Sequence, residues 1–127
     1  MKFSYHDGYG IALPAAHPFP VSKSLLLRNR LMADGLLSAR DVLEPEPIDI
    51  ETAALVHTRA YLDKLQSSSL SAAELRRLGL PWSRELWRRS RLAVGGTLLA
   101  ARAALAGGLA GLMVASRASR TSSRSLR

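Results

Sequence analysis

Three histidines are the side chains in this sequence best suited to bind a metal ion or to move a proton. His6, His17 and His57 fall at a predicted strand end, in a loop and in a predicted helix, and their spacing matches no metal-binding motif. We therefore expect them to be solvated or hydrogen-bonded. After Glu85 the sequence contains no Asp, Glu, His or Cys, so residues 86–127 offer neither an ionisable metal ligand nor a side-chain base. Because a hydrolytic zinc needs about three protein ligands and an open water position, the sequence predicts no metal site and no catalytic residue in this chain.

Arginine side chains form the second group that could do chemistry, because clustered guanidinium groups bind phosphates. The cluster consists of Arg76, Arg77, Arg84, Arg88, Arg89 and Arg91. No interleaved aromatic platform accompanies it, so a solvated face is favoured over a nucleic-acid site. The formal net charge of +8 is also concentrated elsewhere, since four of the 18 basic residues lie within residues 117–127.

The first third of the chain alternates between regular structure and a rigid loop. Residues 1–5 alternate in polarity and carry two aromatics, which predicts a short strand. Prolines at 14, 18 and 20 prevent regular structure in the segment that follows, because each fixes φ and removes a donor. Leucines spaced near 3.6 residues then predict a helix over 22–33, which Asp34-Gly35 ends.

The remaining pattern is helical. Residues 51–57 begin with an acidic first turn, Thr58 is placed to cap a helix that runs through Leu65, and Ser71 with Glu74 forms a capping box. The longest helix is predicted over 83–106. Its central glycines, Gly95-Gly96, each cost about 1 kcal/mol relative to Ala, which favours a position where another backbone packs very closely.

Four segments resemble the histone deacetylase superfamily, particularly its bacterial and class IV-like members, and they occur in the family's order. They are His17-Pro18-Phe19-Pro20 with Lys23, Val56-His57 with Tyr61-Leu62, Leu78-Gly79-Leu80-Pro81-Trp82-Ser83, and Val94-Gly95-Gly96-Thr97 with Ala100, Ala101, Ala104 and Leu105. The resemblance covers roughly residues 1–111. It implies an α/β fold of the arginase/deacetylase type, of which this chain would be the N-terminal, mostly helical portion, with a truncated parallel sheet.

The same resemblance implies a reaction and a cofactor that this chain does not complete. Full-length members are expected to bind zinc and to hydrolyse the amide of acetyl-lysine or another acetylated amine. Their tandem His pair, their later Asp, His and Asp ligands, and their final Tyr or His have no counterpart here. The resemblance therefore implies a truncated zinc amidohydrolase that is inactive alone, with acetylated substrates as partners only if the whole domain were present.

By resemblance, two loops would form the rim of the acyl-lysine channel. The residues are His17, Pro18, Phe19 and Pro20 in the first loop and Pro81 and Trp82 in the second. The alternative for the first loop is a stiff surface loop that packs Phe19 on the core. Several family members carry a substrate-binding Asp in the second loop and this sequence does not, so peptide recognition through that loop is not expected. Trp82 and Trp87 are otherwise interpreted as core or interface aromatics, because large apolar side chains are usually buried.

The chain is expected to divide into a deacetylase-like region, residues 1–111, and a Ser/Arg-rich tail, residues 112–127. The tail has almost nothing to bury and is predicted to be disordered. Its composition changes abruptly after Gly111, and a frameshift near that residue is our hypothesis. Translation of the downstream DNA in the other two frames tests it, because the missing His-His pattern should appear there.

Two functions from other classes remain alternatives. Residues 92–115 are apolar except for Arg102 and have the outline of a membrane span, which would make a small membrane-anchored protein, although the central arginine makes insertion marginal. A scaffold fragment that binds a partner deacetylase chain is the third reading.

The absence of cysteine and of a secretory signal after Met1-Lys2 favours the cytoplasm. The oligomeric state is left open.

Overall fold

Three short parallel strands packed against helices give an α/β fold in the computed structural model, which describes residues 1–114. The strands are β1 (Lys2–Ser4), β2 (Val42–Leu43) and β3 (Ala110–Leu112), in the order β2-β1-β3. Phe3 is opposite Val42 on one side and Gly111 on the other. Because both pairs are parallel, all three strands end at the same edge of the sheet.

Besides two 3-10 turns, Asp7–Tyr9 and Ala39–Asp41, residues 1–114 form five α-helices, all of which except the first begin at a side-chain cap. They are α1 (Lys23–Ala33), α2 (Ile50–Ala54), α3 (Arg59–Ser67), α4 (Ala72–Leu78) and α5 (Arg84–Gly107). The predicted capping box is confirmed: Ser71 Oγ accepts from the Glu74 amide at 3.3 Å, and the Glu74 carboxylate accepts from the Ser71 amide at 2.7 Å. Gly79 ends α4 in the left-handed region, at φ 69°.

The predicted elements agree with the structure except at the short ones. The predicted helix over 51–57 is the five-residue α2, which Asp49 caps by accepting from the Thr52 amide at 2.7 Å. β2 and β3 were not predicted, because two or three residues carry no readable alternation. β3 ends at Leu112, one residue past the predicted boundary at residue 111, and Met113 after it is buried in the core. Residues 115–127 of the predicted tail lie outside the described residues.

Helix α5 separates two apolar clusters. The sheet-side cluster consists of Tyr5, Tyr9, Leu37, Leu92 and Met113. The outer cluster consists of Ala53, Leu62 and Leu65, with Trp82 and Trp87 packed partly buried against them. Helix α5 contacts β1 and β3 on the sheet side, so it is the element that joins the two layers.

The two central glycines of α5 explain how closely the layers approach. A Cβ on Gly95 would overlap the backbone carbonyl oxygen of Glu46, and a Cβ on Gly96 would overlap the Tyr9 hydroxyl. Ile48 donates its amide to the Arg91 carbonyl at 3.3 Å, which brings the 44–48 segment against the helix. The expectation that a backbone packs against these glycines is confirmed at Gly95; at Gly96 the neighbour is a side chain.

Within residues 1–114, no helix is both long and apolar enough to cross a membrane. The stretch 92–115, the alternative prediction of a membrane span, is divided between α5 and β3, with Gly108 at φ 96° between them. The alternative of a membrane span over 92–115 therefore finds no support in the described residues 92–114.

Candidate functional site

The edge where the parallel strands end carries the polar side chains of the turn that follows β1, residues 6–10. β1 leads directly into His6, whose Nδ1 accepts from the Gly8 amide at 2.7 Å. Its Nε2 lies 3.4 Å from a carboxylate oxygen of Glu44, which follows β2. In open α/β sheets, ligands bind in the crevice at the carboxyl ends of the strands, so this edge is the first candidate for a site.

Tyr5 and Asp7 form a second polar pair at the same edge. The Tyr5 hydroxyl donates to Asp7 Oδ1 at 2.9 Å. Burial, and then the hydrogen bond and charge of Asp7, raise the pKa of Tyr5 to about 12. Tyr5 therefore stays protonated at neutral pH and acts as a hydrogen-bond donor, which excludes it as a proton acceptor there.

The proline loop that contains His17, Pro18, Phe19 and Pro20 is held by its own hydrogen bonds. His17 Nδ1 accepts from the Phe19 amide at 3.1 Å, and the His17 amide donates to the Pro14 carbonyl at 2.8 Å. Pro18 and Pro20 are exposed, whereas His17 and Phe19 are half-buried. The loop is therefore stiff and presents its prolines to solvent while its aromatic ring turns inward.

Arg89 connects this loop to the turn that follows β1. Its guanidinium carbon lies 5.0 Å from the centre of the Phe19 ring, and its Nε donates to the Tyr9 carbonyl at 2.8 Å. Arg89 is only 6% exposed, and burial lowers its pKa from the ordinary value. One buried cation on α5 thus holds both the proline loop and the turn that follows β1.

The buried position of Arg89 corrects the prediction that the arginine cluster is a solvated face. Arg76, Arg77, Arg84 and Arg88 are exposed, but Arg91 is half-buried and Arg89 is buried. Arginines 89 and 91 lie on the parts of α5 that face other elements, where their stems pack and their guanidinium groups meet backbone carbonyls. This packing could not be predicted from the sequence, because charge alone does not distinguish a solvated from a packed helix face.

The second predicted rim segment lies in a different packing environment. Pro81 is exposed, and Trp82 packs in the outer cluster with its ring centre 6.5 Å from that of Trp87. Phe19, in contrast, contacts Arg89. The interpretation of both tryptophans as core aromatics agrees with this packing, whereas the rim role of Pro81 and Trp82 stays a prediction.

The donors in the described residues do not fit a catalytic zinc ion. Residues 1–114 contain no group of three or more His, Cys, Asp or Glu side chains placed to hold a metal. His6 and Glu44 supply two donors at most, and His57 is exposed and contacts the Tyr61 ring. Residues 115–127 contain no side chain of these four types. A hydrolytic zinc centre needs about three such ligands.

Comparison with known proteins gives two findings. The sequence model of one family, described as "Histone deacetylase domain", matches residues 17–119. An uncharacterized protein of Picosynechococcus sp. is 39% identical over 106 residues, which cover 84% of this chain and 35% of that relative. The chain therefore spans about a third of the length of this relative.

Proposed function

The chain belongs to the histone deacetylase family, and from that premise we propose that it forms the N-terminal scaffold region of an arginase/deacetylase-type domain. The reaction proposed for the whole domain is hydrolysis of the amide of acetyl-lysine or another acetylated amine, with zinc as the expected cofactor. The residues present do not fit that metal, so the proposal assigns no chemical step to this chain. We place the protein in the cytoplasm.

One observation carries the proposal: the proline loop and the turn after β1 are held by the same buried residue at the carboxyl edge of a parallel sheet. Arg89 contacts the Phe19 ring and the Tyr9 carbonyl. We infer that a loop held in this way would border the crevice where ligands of open α/β sheets bind. This arrangement supports a role in shaping a site whose reacting groups come from elsewhere in a whole domain.

The rim role follows from the same arrangement. We propose that His17, Pro18, Phe19 and Pro20 line the mouth of an acyl-lysine channel, with Phe19 held in place by Arg89. Pro81 and Trp82 would border the channel from a second loop. The stiffness of the proline loop supports this role, because a rigid rim loses little conformational entropy when a substrate chain enters.

The first experiment assays the 127-residue chain with an acetyl-lysine peptide at increasing zinc. We expect no turnover and no stoichiometric zinc, because the chain does not supply the ligands. Turnover that a chelator abolishes, together with one tightly bound zinc per chain, would show that the chain is a complete enzyme and that the scaffold proposal is wrong.

A chimera tests the scaffold role directly. Residues 1–111 replace the matching segment of the Picosynechococcus relative, and the relative itself is assayed first. If the relative does not hydrolyse acetylated amines, the proposed reaction is wrong. If it does, the chimera should retain turnover, and Phe19→Ala in the chimera should raise KM while exposed Leu26→Ala on α1 leaves it unchanged. Equal effects of the two substitutions contradict the rim assignment.

A further inference from the structure

An apolar cavity of about 370 Å³ lies in the outer layer, on the side of α5 that faces away from the sheet. Leu92 and Gly96 of α5 face the sheet-side cluster, whereas Val94 and Leu98 line the cavity. Its volume is within the range of about 300 to 1,000 Å³ that is usual for small-molecule sites.

Four rings from three different parts of the chain line the cavity. They are His57, Tyr61, Trp82 and Trp87. The two tryptophan ring centres are 6.5 Å apart and inclined at 45°, and those of His57 and Tyr61 are 5.7 Å apart and inclined at 48°. Rings in tilted pairs present both faces and edges, which is the arrangement that a third aromatic ring packs against favourably.

One guanidinium gives the cavity its charge. Arg91 lines the wall, lies 5.8 Å from the centre of the Trp87 ring, and donates from Nε to the Ile48 carbonyl at 2.6 Å. A guanidinium has five N–H donors, and that bond uses one of them. None of the described residues that line the cavity is an aspartate or a glutamate.

Asp49 is an acidic neighbour of Arg91, but its carboxylate already caps helix α2. Asp49 lies outside the lining and caps α2 by accepting from the Thr52 amide at 2.7 Å. Hydrogen bonds from Thr52, and to a smaller extent the charge of Arg91, lower the pKa of Asp49. The wall of the cavity thus presents a cation beside aromatic rings, a combination that favours an anionic aromatic ligand over a cationic one.

We propose that this cavity binds an aromatic monocarboxylate, with its ring system against Trp82 and Trp87 and its carboxylate at Arg91. The cavity lies on the side of α5 away from the sheet and shares only Trp82 with the rim proposed above. Its binding role does not depend on the hydrolysis proposed for the whole domain, because Arg91 and Trp87 belong to no part of that rim.

The experiment titrates the full chain with 2-naphthoate by calorimetry and by tryptophan fluorescence. Both tryptophans of the chain line the cavity, so the fluorescence reports on its occupancy; Trp82 also borders a neighbouring pocket, and the variants below separate the two places. We expect saturable binding that changes the emission. The uncharged 2-naphthamide should bind about tenfold more weakly, because a hydrogen-bonded charge pair is absent. Decanoate, which keeps the carboxylate but has no ring, should also bind more weakly than 2-naphthoate.

Variants locate the ligand. Arg91→Gln should weaken 2-naphthoate binding about tenfold, whereas Arg102→Gln, which removes an exposed arginine from the same helix, should leave it unchanged. Leu98→Trp should abolish binding by filling the cavity without changing the charge. The helical circular dichroism of each variant checks that it is folded.

Four outcomes overturn the proposal. They are no heat and no emission change at millimolar 2-naphthoate, equal affinity for the acid and the amide, tighter binding of decanoate than of 2-naphthoate, and equal effects of the two arginine substitutions. The first removes the site, the second removes the anion specificity, the third assigns the cavity to aliphatic chains, and the fourth places the ligand elsewhere.

Discussion

The sheet-side cluster and the outer cluster pack against the same helix, yet they fill the space beside it differently. On the sheet side, Gly96 has no room for a methyl group, and Ser4 and Arg89 are buried with hydrogen-bond partners. On the outer side, an open cavity remains, and Leu55 and Val56 are 82% and 80% exposed. The difference indicates that added or removed volume is felt strongly around Leu92 and Gly96 and weakly beside the outer cavity.

Matched truncations of two fully buried leucines should produce the largest effect. Leu92 and Leu62 are both 0% exposed, one in each cluster. Leu92→Ala should lower the free energy of unfolding by ~4 kcal/mol, and Leu62→Ala by ~2.5 kcal/mol, because Leu62 borders a cavity and its neighbours have room to relax. Urea denaturation of both variants measures the difference. An equal or larger cost at Leu62 would remove the contrast between the clusters.

Adding one methyl group at the close contact should have the next largest effect. Gly96→Ala should cost ~2 kcal/mol, because its Cβ would overlap the Tyr9 hydroxyl. Tyr9→Phe removes that hydroxyl, so the substitution at Gly96 should cost less in the Tyr9→Phe background than in the original chain. A double-mutant cycle measured by urea denaturation checks this coupling. Additive costs would mean that the Tyr9 hydroxyl is not what limits the space.

The smallest expected effect is the pH dependence of stability caused by the ion pair of Lys64 and Glu74, which lies in the outer layer. Lys64 donates to Glu74 at 2.9 Å, and this bond, followed by those from Ser71, lowers the pKa of Glu74 to about 2. The ion pair and cap therefore stabilise the fold above about pH 4.5, and this contribution is lost as pH falls toward 2.

Glu74→Gln tests that assignment through the melting temperature between pH 6 and pH 2. The original chain should lose more stability over this interval than the variant. Glu85→Gln, which removes an exposed carboxylate at the start of α5, is the matched control and should keep the original pH profile. If Glu74→Gln leaves the acid sensitivity unchanged, that sensitivity arises from other carboxylates whose pKa is lowered, such as Asp41, Asp49 or Glu51.

Local sequence signals predicted the helices well because their causes are local. Ser71 and Glu74 satisfy each other's amides within one turn, and Gly79 supplies the left-handed residue that ends α4. The pair Gly95-Gly96 predicted that another part of the chain packs closely against α5, but not that the neighbours are the Glu46 backbone and the Tyr9 side chain. β2 and β3 were missed because a strand of two or three residues is determined by its pairing with β1, which no local pattern reports.

The candidate sites were less accessible to sequence reasoning, since they depend on contacts between distant segments. Arg89 lies 70 positions after Phe19 in the chain, and only the fold shows that one contacts the other. The cavity at Arg91 combines side chains of four helices and of the segments that connect them. The six rim residues were identified by resemblance, and their role in a channel stays a prediction.

The adjacent glycines of α5 have a consequence for how a disturbance spreads. Neighbouring residues of a helix point about 100° apart, and here one direction meets the Glu46 carbonyl while the next meets the Tyr9 hydroxyl. Any turn of α5 about its axis, or a slide by one residue, would bring a Cβ from Val94 or Thr97 into one of these two spaces. Helix α5 is therefore held against both rotation about its axis and sliding along it. A distortion introduced in one layer is for that reason transmitted to the other.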